Sequence, residues 1–262
     1  DCWFLAHPDQ ANPLVRRAGH NLQRAVARGA WVHASSDATN RSARELLDTD
    51  RVVTVHLGPP SDTDRVAAQP PHDSGALAGS MFIVAIGTEE HRKNLPMLVR
   101  AFERCAAELE GVRLVVAGAA GDSSDDITAT ISHLPDHIAD RIHRLGPVDD
   151  AVKRWLLEQA AVVAYPSLDE GFGFPILEAQ ASGVPIVASA VGAIPEVAGS
   201  GAALIESSDH EAFGDGLIRV LTAGVERLSL IQAGYRNIAR FSWDDTAGQL
   251  ERLYTDALAD DR

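Results

Sequence analysis

The sequence has few cysteines, few aromatic residues and no long hydrophobic run. Its two cysteines, Cys2 and Cys105, lack metal-like spacing, so neither a disulfide framework nor a zinc site is indicated and a reducing cytosolic setting is expected. No apolar run reaches the length of a membrane span, and no signal-peptide pattern is present. Basic residues are outnumbered by acidic residues, 23 to 37, and the net charge is −14. This charge argues against nucleic acid or an anionic membrane as the main partner. What remains is an ordinary globular composition, 45% hydrophobic and 23% charged, that fits one large or two small domains.

Residues 161–189 contain the clearest pattern of the chain, a strand, a loop, a helix and a second strand. Ala161–Tyr165 is an apolar run of the length that a buried parallel strand requires. Residues 166–174 follow as a loop, and Pro175 suits the first turn of a helix because its fixed φ fits and its missing N–H would have no partner there. Pro185–Ser189 is the next strand. This βαβ pattern predicts an α/β fold with a parallel sheet.

The loop of this unit combines the features of an anion site with two carboxylates. Gly171 and Gly173 have no Cβ, so a ligand could approach the backbone closely, and the following helix directs free N–H groups toward it. Glu170 precedes the helix and Glu178 lies on its first turns. A carboxylate beside a phosphate would repel it unless it faced a neutral, hydroxyl-rich part of the same ligand. The loop therefore indicates a sugar joined to a phosphate, and the alternative is a solvated loop with two surface acids.

A second polar segment follows the predicted strand Phe82–Ile86. Gly87 opens it, and the adjacent bases Arg92 and Lys93 precede a predicted helix at Leu95–Glu110. Ligands bind at the carboxyl ends of strands in open α/β sheets, so this pair could clamp a diphosphate, Lys as a compact charge and Arg as a fork. A solvated basic pair is the alternative interpretation.

Two further patterns are interpreted as structural. Pro135 interrupts the helix between the first two of three histidines, so surface positions rather than a metal site are predicted for His133, His137 and His143. Glu196 lies in the turn after the central unit and is predicted to cap a short helix there. No pair of carboxylates has the arrangement of a metal site.

Composition divides the chain into four parts. Residues 58–80 are rich in Pro, Gly, Asp and Ser, which is typical of an inter-domain linker. Helices and short strands are predicted within residues 1–57, and a Rossmann-like succession of strands and helices within residues 81–240. Residues 241–262 are predicted to form a terminal helix with Ser242 as its N-cap.

The residues Glu170–Ala179, with Ser182–Ser189 behind them, closely resemble the signature of the retaining glycosyltransferases of family four. That family has the GT-B architecture, two facing Rossmann-like domains of which the C-terminal one holds the nucleotide sugar donor. The resemblance implies donor contacts by Glu170 to the sugar, by Glu178 to the ribose, and by loop amides to the diphosphate, those of Gly171, Phe172, Gly173 and Phe174.

The loop that begins at Gly87 resembles the donor-site string of the same family, which implies that it contacts the diphosphate through Arg92 and Lys93. Many members have an arginine directly after the glycine, where this chain has Thr88. Arg92 therefore does that work, or the site uses one cation fewer. In the family, backbone groups after a later strand read the nucleotide base, which implies this role for Val148.

The resemblance also implies a longer protein. Family members have a complete acceptor-side domain before the donor domain, and residues 1–57 match only its end, so the chain is interpreted as a fragment that transfers poorly, if at all. Residues 58–80 would then be the linker, residues 81–240 the donor domain, and residues 241–262 a helix that crosses back toward the first domain.

The implied function is retaining transfer of a sugar from a nucleotide diphosphate sugar, with Glu170 and Lys93 as catalytic residues and no metal or other cofactor. The Arg-Lys-Asn string favours mannosyltransferases that use GDP-mannose, with a glycan or lipid-linked glycan as acceptor. A cytoplasmic location is expected, or one at the inner face of the membrane, where the missing N-terminal part would make any peripheral contact. Two alternatives stay open, a sugar-nucleotide epimerase of GT-B architecture and a non-catalytic nucleotide-sugar-binding module.

Overall fold

Six parallel strands form the main sheet of the protein. The computed structural model describes residues 2–11, 13–60, 66–72, 75, 77–206 and 209–260. The strands of the main sheet, β3 to β8 in chain order, are Phe82–Ile86, Arg113–Ala117, Ile142–Gly146, Val162–Tyr165, Ile186–Ser189 and Ala203–Ile205. Two further strands, β1 (Val32–Ala34) and β2 (Val52–Thr54), pair in a separate parallel sheet.

Helices connect the strands. In the front part they are α1 (Trp3–Ala6), α2 (Pro13–Val26) and α3 (Asp37–Leu47). Those that follow are α4 (Leu95–Glu108), α5 (Ser124–Ser132), α6 (Asp136–Ala139), α7 (Asp150–Gln159), α8 (Phe174–Ala181), α9 (Ile194–Ala198), α10 (His210–Thr222), α11 (Gly224–Ile238) and α12 (Trp243–Asp260). Across the described residues, each helix is too short or too polar to cross a lipid bilayer.

The centre of the main sheet is buried on both faces, which explains why its central strands are continuous apolar runs. Side chains alternate along β3, so Ile83 packs on one face with Phe102 of α4 and Phe213 of α10. Phe82 packs on the other face with Leu156 of α7. The predicted α/β fold with a parallel sheet is confirmed.

The order of the strands places a crevice at the centre of the sheet. It is β5-β4-β3-β6-β7-β8, so the chain winds outward in one direction from β3 and in the other from β6. These two central strands pair directly, with Ile83 beside Val162 and Val84 beside Val163. In open α/β sheets, ligands bind outside the carboxyl ends of the strands at such a switch point. The loops after β3 and β6 are therefore the natural place for a site.

The terminal helix α12 packs against the front of the chain. Trp243 Nε1–H donates to the carbonyl oxygen of Pro59 at 2.8 Å, and the Thr246 hydroxyl donates to that of His56 at 2.7 Å. The Trp243 ring lies so close to Gly58 that a Cβ at Gly58 would be 2.5 Å from it. Only a glycine fits at position 58, where the front of the chain meets α12.

The predicted elements are present with shifted ends, since helix ends carry weaker sequence signals than helix centres. The helix predicted to reach Glu110 ends at Glu108, for example. Residues 58–60 and 66–72 of the predicted linker contain no helix or strand. The rest of that prediction falls partly on residues 61–65, 73, 74 and 76, which lie outside the described residues, as does Asp1 of the front segment. The four domain boundaries stay predictions.

Candidate functional site

The loops after β3 and β6 meet at the central crevice. The first presents Arg92 and Lys93 from a short 3-10 turn, and the second contains Glu170. A hydrogen bond joins them, since the Leu168 N–H donates to the Arg92 carbonyl oxygen at 2.8 Å. Gly87 has a φ of +144°, and the stem of Lys93 lies over it, so a Cβ there would be 3.4 Å from Lys93 Cε. The positive φ favours glycine at this position, and the lysine stem passes over it in ordinary van der Waals contact.

The Glu170 carboxylate is buried, with 7% of the side chain exposed, and fully partnered. Lys93 Nζ lies 2.6 Å from one oxygen, Arg92 Nη1 lies 2.8 Å from the other, and the Ser167 hydroxyl donates at 2.8 Å. Burial alone raises the pKa of Glu170, but the charges of Lys93 and Arg92 outweigh it and lower the pKa below its ordinary value. Glu170 is therefore an ionised hydrogen-bond acceptor at neutral pH.

Tyr165, the last residue of β6, completes this cluster. Its hydroxyl accepts a hydrogen bond from Lys93 Nζ at 3.2 Å, and Nζ lies 4.9 Å from the ring centroid. Burial and the charge of Glu170 raise the pKa of Tyr165 well above its ordinary value, so the phenol keeps its proton. The carboxylate of Glu90 is 3.3 Å from Arg92, and about half of its side chain is exposed to water. In the buried part of the site, two cations thus face one carboxylate.

The loop before α8 keeps its backbone N–H groups available. Within the described residues, the N–H groups of Gly171, Phe172 and Gly173 donate no hydrogen bond to the protein, although all three residues are buried. The carbonyl oxygen of Gly171, by contrast, accepts three hydroxyl hydrogen bonds. Gly173 has a φ of +95° and serves as the N-cap of α8. Buried N–H groups are rarely left without an acceptor in proteins, and donors grouped at a helix start suit an anionic ligand.

The two phenylalanines of this loop differ in position. Phe172 is 5% exposed and packs with Leu177 and with Phe241, whose ring centroid is 5.7 Å away. Phe174 is 38% exposed at the first position of α8. Phe172 can therefore meet a ligand only through its backbone, whereas its side chain holds the loop in place.

The second predicted carboxylate, Glu178, lies on the flank of the site. Lys153 of α7 is 2.8 Å from it, and burial, which lowers the pKa of Lys153, is outweighed by the hydrogen bond and charge of Glu178, which raise it. Both side chains line a groove of about 360 Å³ together with Pro60 and Leu157. Val148 lies between β5 and α7, half-buried against the core. Glu178 and the helix that follows Val148 therefore both line this groove.

Lysine is rare in this protein, and its positions are informative. The chain has two lysines, Lys93 and Lys153, and they pair with Glu170 and Glu178 respectively. Lys153 was not among the predicted site residues, although it lies on the helix that follows the predicted base-reading turn. Tyr165 at the carboxyl end of β6 was also not among them, although its strand-end position was an available signal.

The carboxylate of Glu196 caps a helix, but not the one predicted. It accepts hydrogen bonds from the N–H groups of Asp37 at 2.8 Å and Ala38 at 3.0 Å, which begin α3, and it lies 2.6 Å from His56 Nε2. The prediction was wrong about which helix is capped, because a sequence pattern shows only contacts between residues that are close along the chain. Asp37, His56 and Glu196 could also share a cation, with ligand atoms within 4.8 Å. Glu196 already accepts these three hydrogen bonds, so capping accounts for the cluster.

The three predicted surface histidines are not equivalent. His133 and His137 are exposed, as predicted. His143 lies in β5 and is half-buried, 3.1 Å from Arg113 Nη1, and burial with the charge of Arg113 lowers its pKa. It supports the sheet edge as a neutral side chain.

Gly192 supports the loop that carries Glu170. It has a φ of +52°, and a Cβ there would lie 2.4 Å from Asp169 Oδ1 and 2.8 Å from Glu170 N. Gly192→Ala is expected to lower the free energy of unfolding by about 2 to 4 kcal/mol through left-handed strain and overpacking. It should also weaken GDP binding, because the loop has to move. Urea denaturation and titration calorimetry measure the two effects.

Gly111→Ala is the matched control for Gly192→Ala. Gly111 has a φ of +78°, but nothing lies within 4 Å of its added Cβ. It should therefore show the strain of about 1 to 2 kcal/mol alone and leave GDP binding unchanged. Equal effects of the two substitutions on binding would contradict the role of Gly192.

Several known proteins are similar to this chain in sequence or fold. Residues 81–223, more than half of the chain, match the family model for "Glycosyl transferases group 1". The D-inositol 3-phosphate glycosyltransferase of Mycobacteroides abscessus is 33% identical, over 98% of this chain and 58% of that protein. The O-antigen chain mannosyltransferase B of Escherichia coli is 31% identical, over 92% of this chain and 64% of that protein.

A solved structure supports the fold. The α,α-trehalose-phosphate synthase (UDP-forming) from Burkholderia vietnamiensis superposes with a TM-score of 0.75 at 17% identity, over 94% of this chain and 63% of that one. The expected GT-B architecture is thereby confirmed. The chain spans less than two thirds of the length of these relatives. From the family match and these relatives, the chain belongs to the group 1 glycosyl transferases and resembles their mannosyltransferase-like members.

Proposed function

We propose that the chain carries the donor-binding part of a retaining glycosyltransferase that uses a nucleoside diphosphate sugar. One observation carries the proposal: within the described residues, the loop whose N–H groups have no protein acceptor also contains Glu170, which Lys93 and Arg92 hold at the switch point of the sheet. N–H donors and cations suit a diphosphate, and a partnered carboxylate suits sugar hydroxyls. The chain covers 58% of the length of its relative from Mycobacteroides abscessus. Sugar transfer would be an activity of a whole protein of that length, so transfer is also proposed.

The proposed chemistry is stabilisation of the leaving group. As the bond to the sugar breaks, negative charge grows on the diphosphate oxygens and positive charge on the sugar. The N–H groups of the loop, the start of α8 and Lys93 Nζ are fixed in advance and would bind the growing negative charge. Removing one such preorganised donor typically costs about 10²- to 10³-fold in rate. The proposal assigns this work to the protein's own donors and to no metal ion, as the resemblance implies.

Glu170 is proposed to orient the sugar. Its oxygens already accept from Lys93, Arg92 and Ser167, and its lowered pKa makes it a weak nucleophile. This environment supports holding hydroxyl groups so that an acceptor attacks in the right geometry. It does not favour the covalent role that a carboxylate has in retaining glycosidases.

The nucleoside is proposed to lie along the flank of the site. Glu178 would accept from the ribose hydroxyls, and its pairing with Lys153 at 2.8 Å holds its carboxylate in place. Val148 would contact the base through its backbone, as the resemblance implies. GDP-mannose is the proposed donor, as the resemblance implies, and the mannosyl part is supported by a relative named as an O-antigen chain mannosyltransferase.

The acceptor is proposed to enter beside Arg92. A cavity of about 530 Å³ opens there, lined in part by Trp3, Phe4, Glu90 and Asp122. Aromatic rings and a few polar groups are a common lining for ligand sites, and carboxylates accept from sugar hydroxyls. A glycan or lipid-linked glycan suits this lining. The cytoplasmic location and any contact with the inner face of the membrane stay predictions.

The two alternatives, an epimerase and a non-catalytic binding module, need different groups beside the sugar. An epimerase requires free acid and base groups, whereas Glu170 is held in ion pairs and Tyr165 keeps its proton because its pKa is raised. The family match also lies with transferases. A non-catalytic binding module would use the same donor contacts, so a transfer assay of the longer protein separates it from the enzyme.

Titration calorimetry with GDP, UDP and their sugars tests the proposal. Glu178→Ala is expected to weaken binding of nucleosides with an intact ribose about ten- to a hundredfold, because a charged hydrogen bond of about 1.5 to 3 kcal/mol is lost. The 2′,3′-dideoxy forms should bind the variant and the unchanged protein equally.

Lys153→Met is the control for the Glu178 experiment. It removes the partner at 2.8 Å but keeps the carboxylate, so a clear preference for the intact ribose should remain. A Glu178→Ala variant that weakens dideoxy and ribose forms alike would contradict the ribose role. An unchanged protein that binds no nucleoside diphosphate would refute the proposed function itself.

A further inference from the structure

Three hydroxyl groups from the front of the chain converge on one oxygen of the donor loop. Ser35 Oγ at 3.1 Å, Ser36 Oγ at 2.7 Å and Thr39 Oγ1 at 2.9 Å all donate to the carbonyl oxygen of Gly171. They precede it by 136, 135 and 132 residues. A carbonyl oxygen has two lone pairs, so this oxygen is saturated with donors and its direction is fixed.

The turn that supplies these hydroxyls is itself anchored. Ser36 is buried and is the N-cap of α3, because its Oγ accepts from the Thr39 N–H at 3.0 Å while it donates to Gly171. Glu196 on α9 accepts from the next two N–H groups of α3, at 2.8 and 3.0 Å. The start of α3 is therefore attached to the donor lobe at two separate points.

This anchoring determines where the next N–H group points. The peptide between Gly171 and Phe172 is planar and trans, so the Phe172 N–H is directed away from the Gly171 carbonyl oxygen and from the three hydroxyls. The Phe172 side chain is held in the apolar cluster with Phe241 and Leu177. Carbonyl and side chain together leave this peptide a single orientation.

We propose that Ser35, Ser36 and Thr39 are positioning residues for the leaving diphosphate. They set the direction of the Phe172 N–H without touching the donor, so the front segment takes part in donor binding through one peptide. The inference rests on the proposed function, since it concerns a donor that the loop offers to the diphosphate.

The double variant Ser35→Ala with Thr39→Val tests this in the chain as it exists. It removes two of the three hydroxyls and leaves Ser36 to cap α3. GDP binding is expected to weaken about tenfold, because a misaimed N–H loses much of a charge-assisted hydrogen bond. Guanosine, which has no phosphate, should bind as before. Ser35→Ala with Thr39→Ser, which restores one hydroxyl, should recover most of the loss.

Thr130→Val with Ser132→Ala is the matched control. These hydroxyls also donate to backbone carbonyls, each at 2.7 Å, but on the exposed surface of α5, and their loss should leave GDP binding unchanged.

Unchanged GDP binding by the Ser35/Thr39 variant would overturn the inference, as would an equal loss for GDP and guanosine. If the double variant fails to fold, Thr39→Val alone carries the test, with an expected loss of about threefold. An unchanged protein that binds neither GDP nor UDP would refute the proposed function and this inference with it.

Discussion

Replacing Lys93 by methionine is expected to weaken GDP binding ten- to a hundredfold. Methionine keeps the stem that lies over Gly87 and against the Tyr165 ring but removes the buried charge. A hydrogen bond to a charged group contributes about 1.5 to 3 kcal/mol, and each 1.4 kcal/mol is roughly tenfold in affinity. Glu170 keeps Arg92 and Ser167 as partners, so stability should fall by less than the ~3 to 5 kcal/mol of a broken buried pair.

Arg104→Met separates the local charge of Lys93 from the net charge of the protein. Arg104 lies on the exposed side of α4, 2.5 Å from Asp215 and 3.7 Å from Glu108. Its loss removes the same unit of charge without touching the crevice, so calorimetry should show unchanged GDP affinity. If both substitutions weaken GDP equally, Lys93 acts only through the general field of the protein and its assignment to the diphosphate is wrong.

Glu170→Gln is expected to separate the two ends of the donor. Lys93 and Arg92 lose their internal anion, so GDP should bind at least as tightly as before. GDP-mannose should lose affinity relative to GDP, because an amide accepts from sugar hydroxyls less strongly than a carboxylate. The free energy of unfolding should fall by about 3 kcal/mol, because two buried cations lose their counter-charge.

Saturating GDP should restore much of the stability lost in Glu170→Gln. A ligand at 100 times its dissociation constant stabilises the folded state by about 2.7 kcal/mol, which urea denaturation can resolve. Glu108→Gln is the control, since its pair with Arg104 is exposed and such pairs contribute about 0 to 1 kcal/mol. A Glu170→Gln variant that loses GDP and GDP-mannose to the same extent would show that Glu170 has a structural role alone.

The central βαβ unit could be predicted from sequence because its signals are local. The apolar run of β6, the two glycines, Pro175 at the start of α8 and the next apolar run each act within a few residues. The same holds for Asp149, which caps α7 because its side chain accepts from the Val152 N–H at 2.8 Å, three residues along the chain. Such signals place the elements and suggest which loops carry chemistry.

Contacts between distant residues could not be predicted in this way. Lys93 and Glu170 were both assigned to one donor, but that they hold each other at 2.6 Å depends on a strand order that local patterns do not encode. Ser35 and Ser36 directly precede α3 in the sequence, and only the fold brings their hydroxyls to the Gly171 carbonyl. Glu196 was assigned to its own helix for the same reason.

The scarcity of lysine has a practical consequence for chemical modification. Apart from the amino terminus, an amine-directed reagent finds its targets only at Lys93 and Lys153, and each ammonium group lies within 2.8 Å of a carboxylate. Mass spectrometry of the acylated protein would therefore report on these two pockets with almost no background. A molecule that occupied the crevice would shield Lys93, and one that extended along the flank would shield Lys153 as well, so the footprint would map how a bound compound lies.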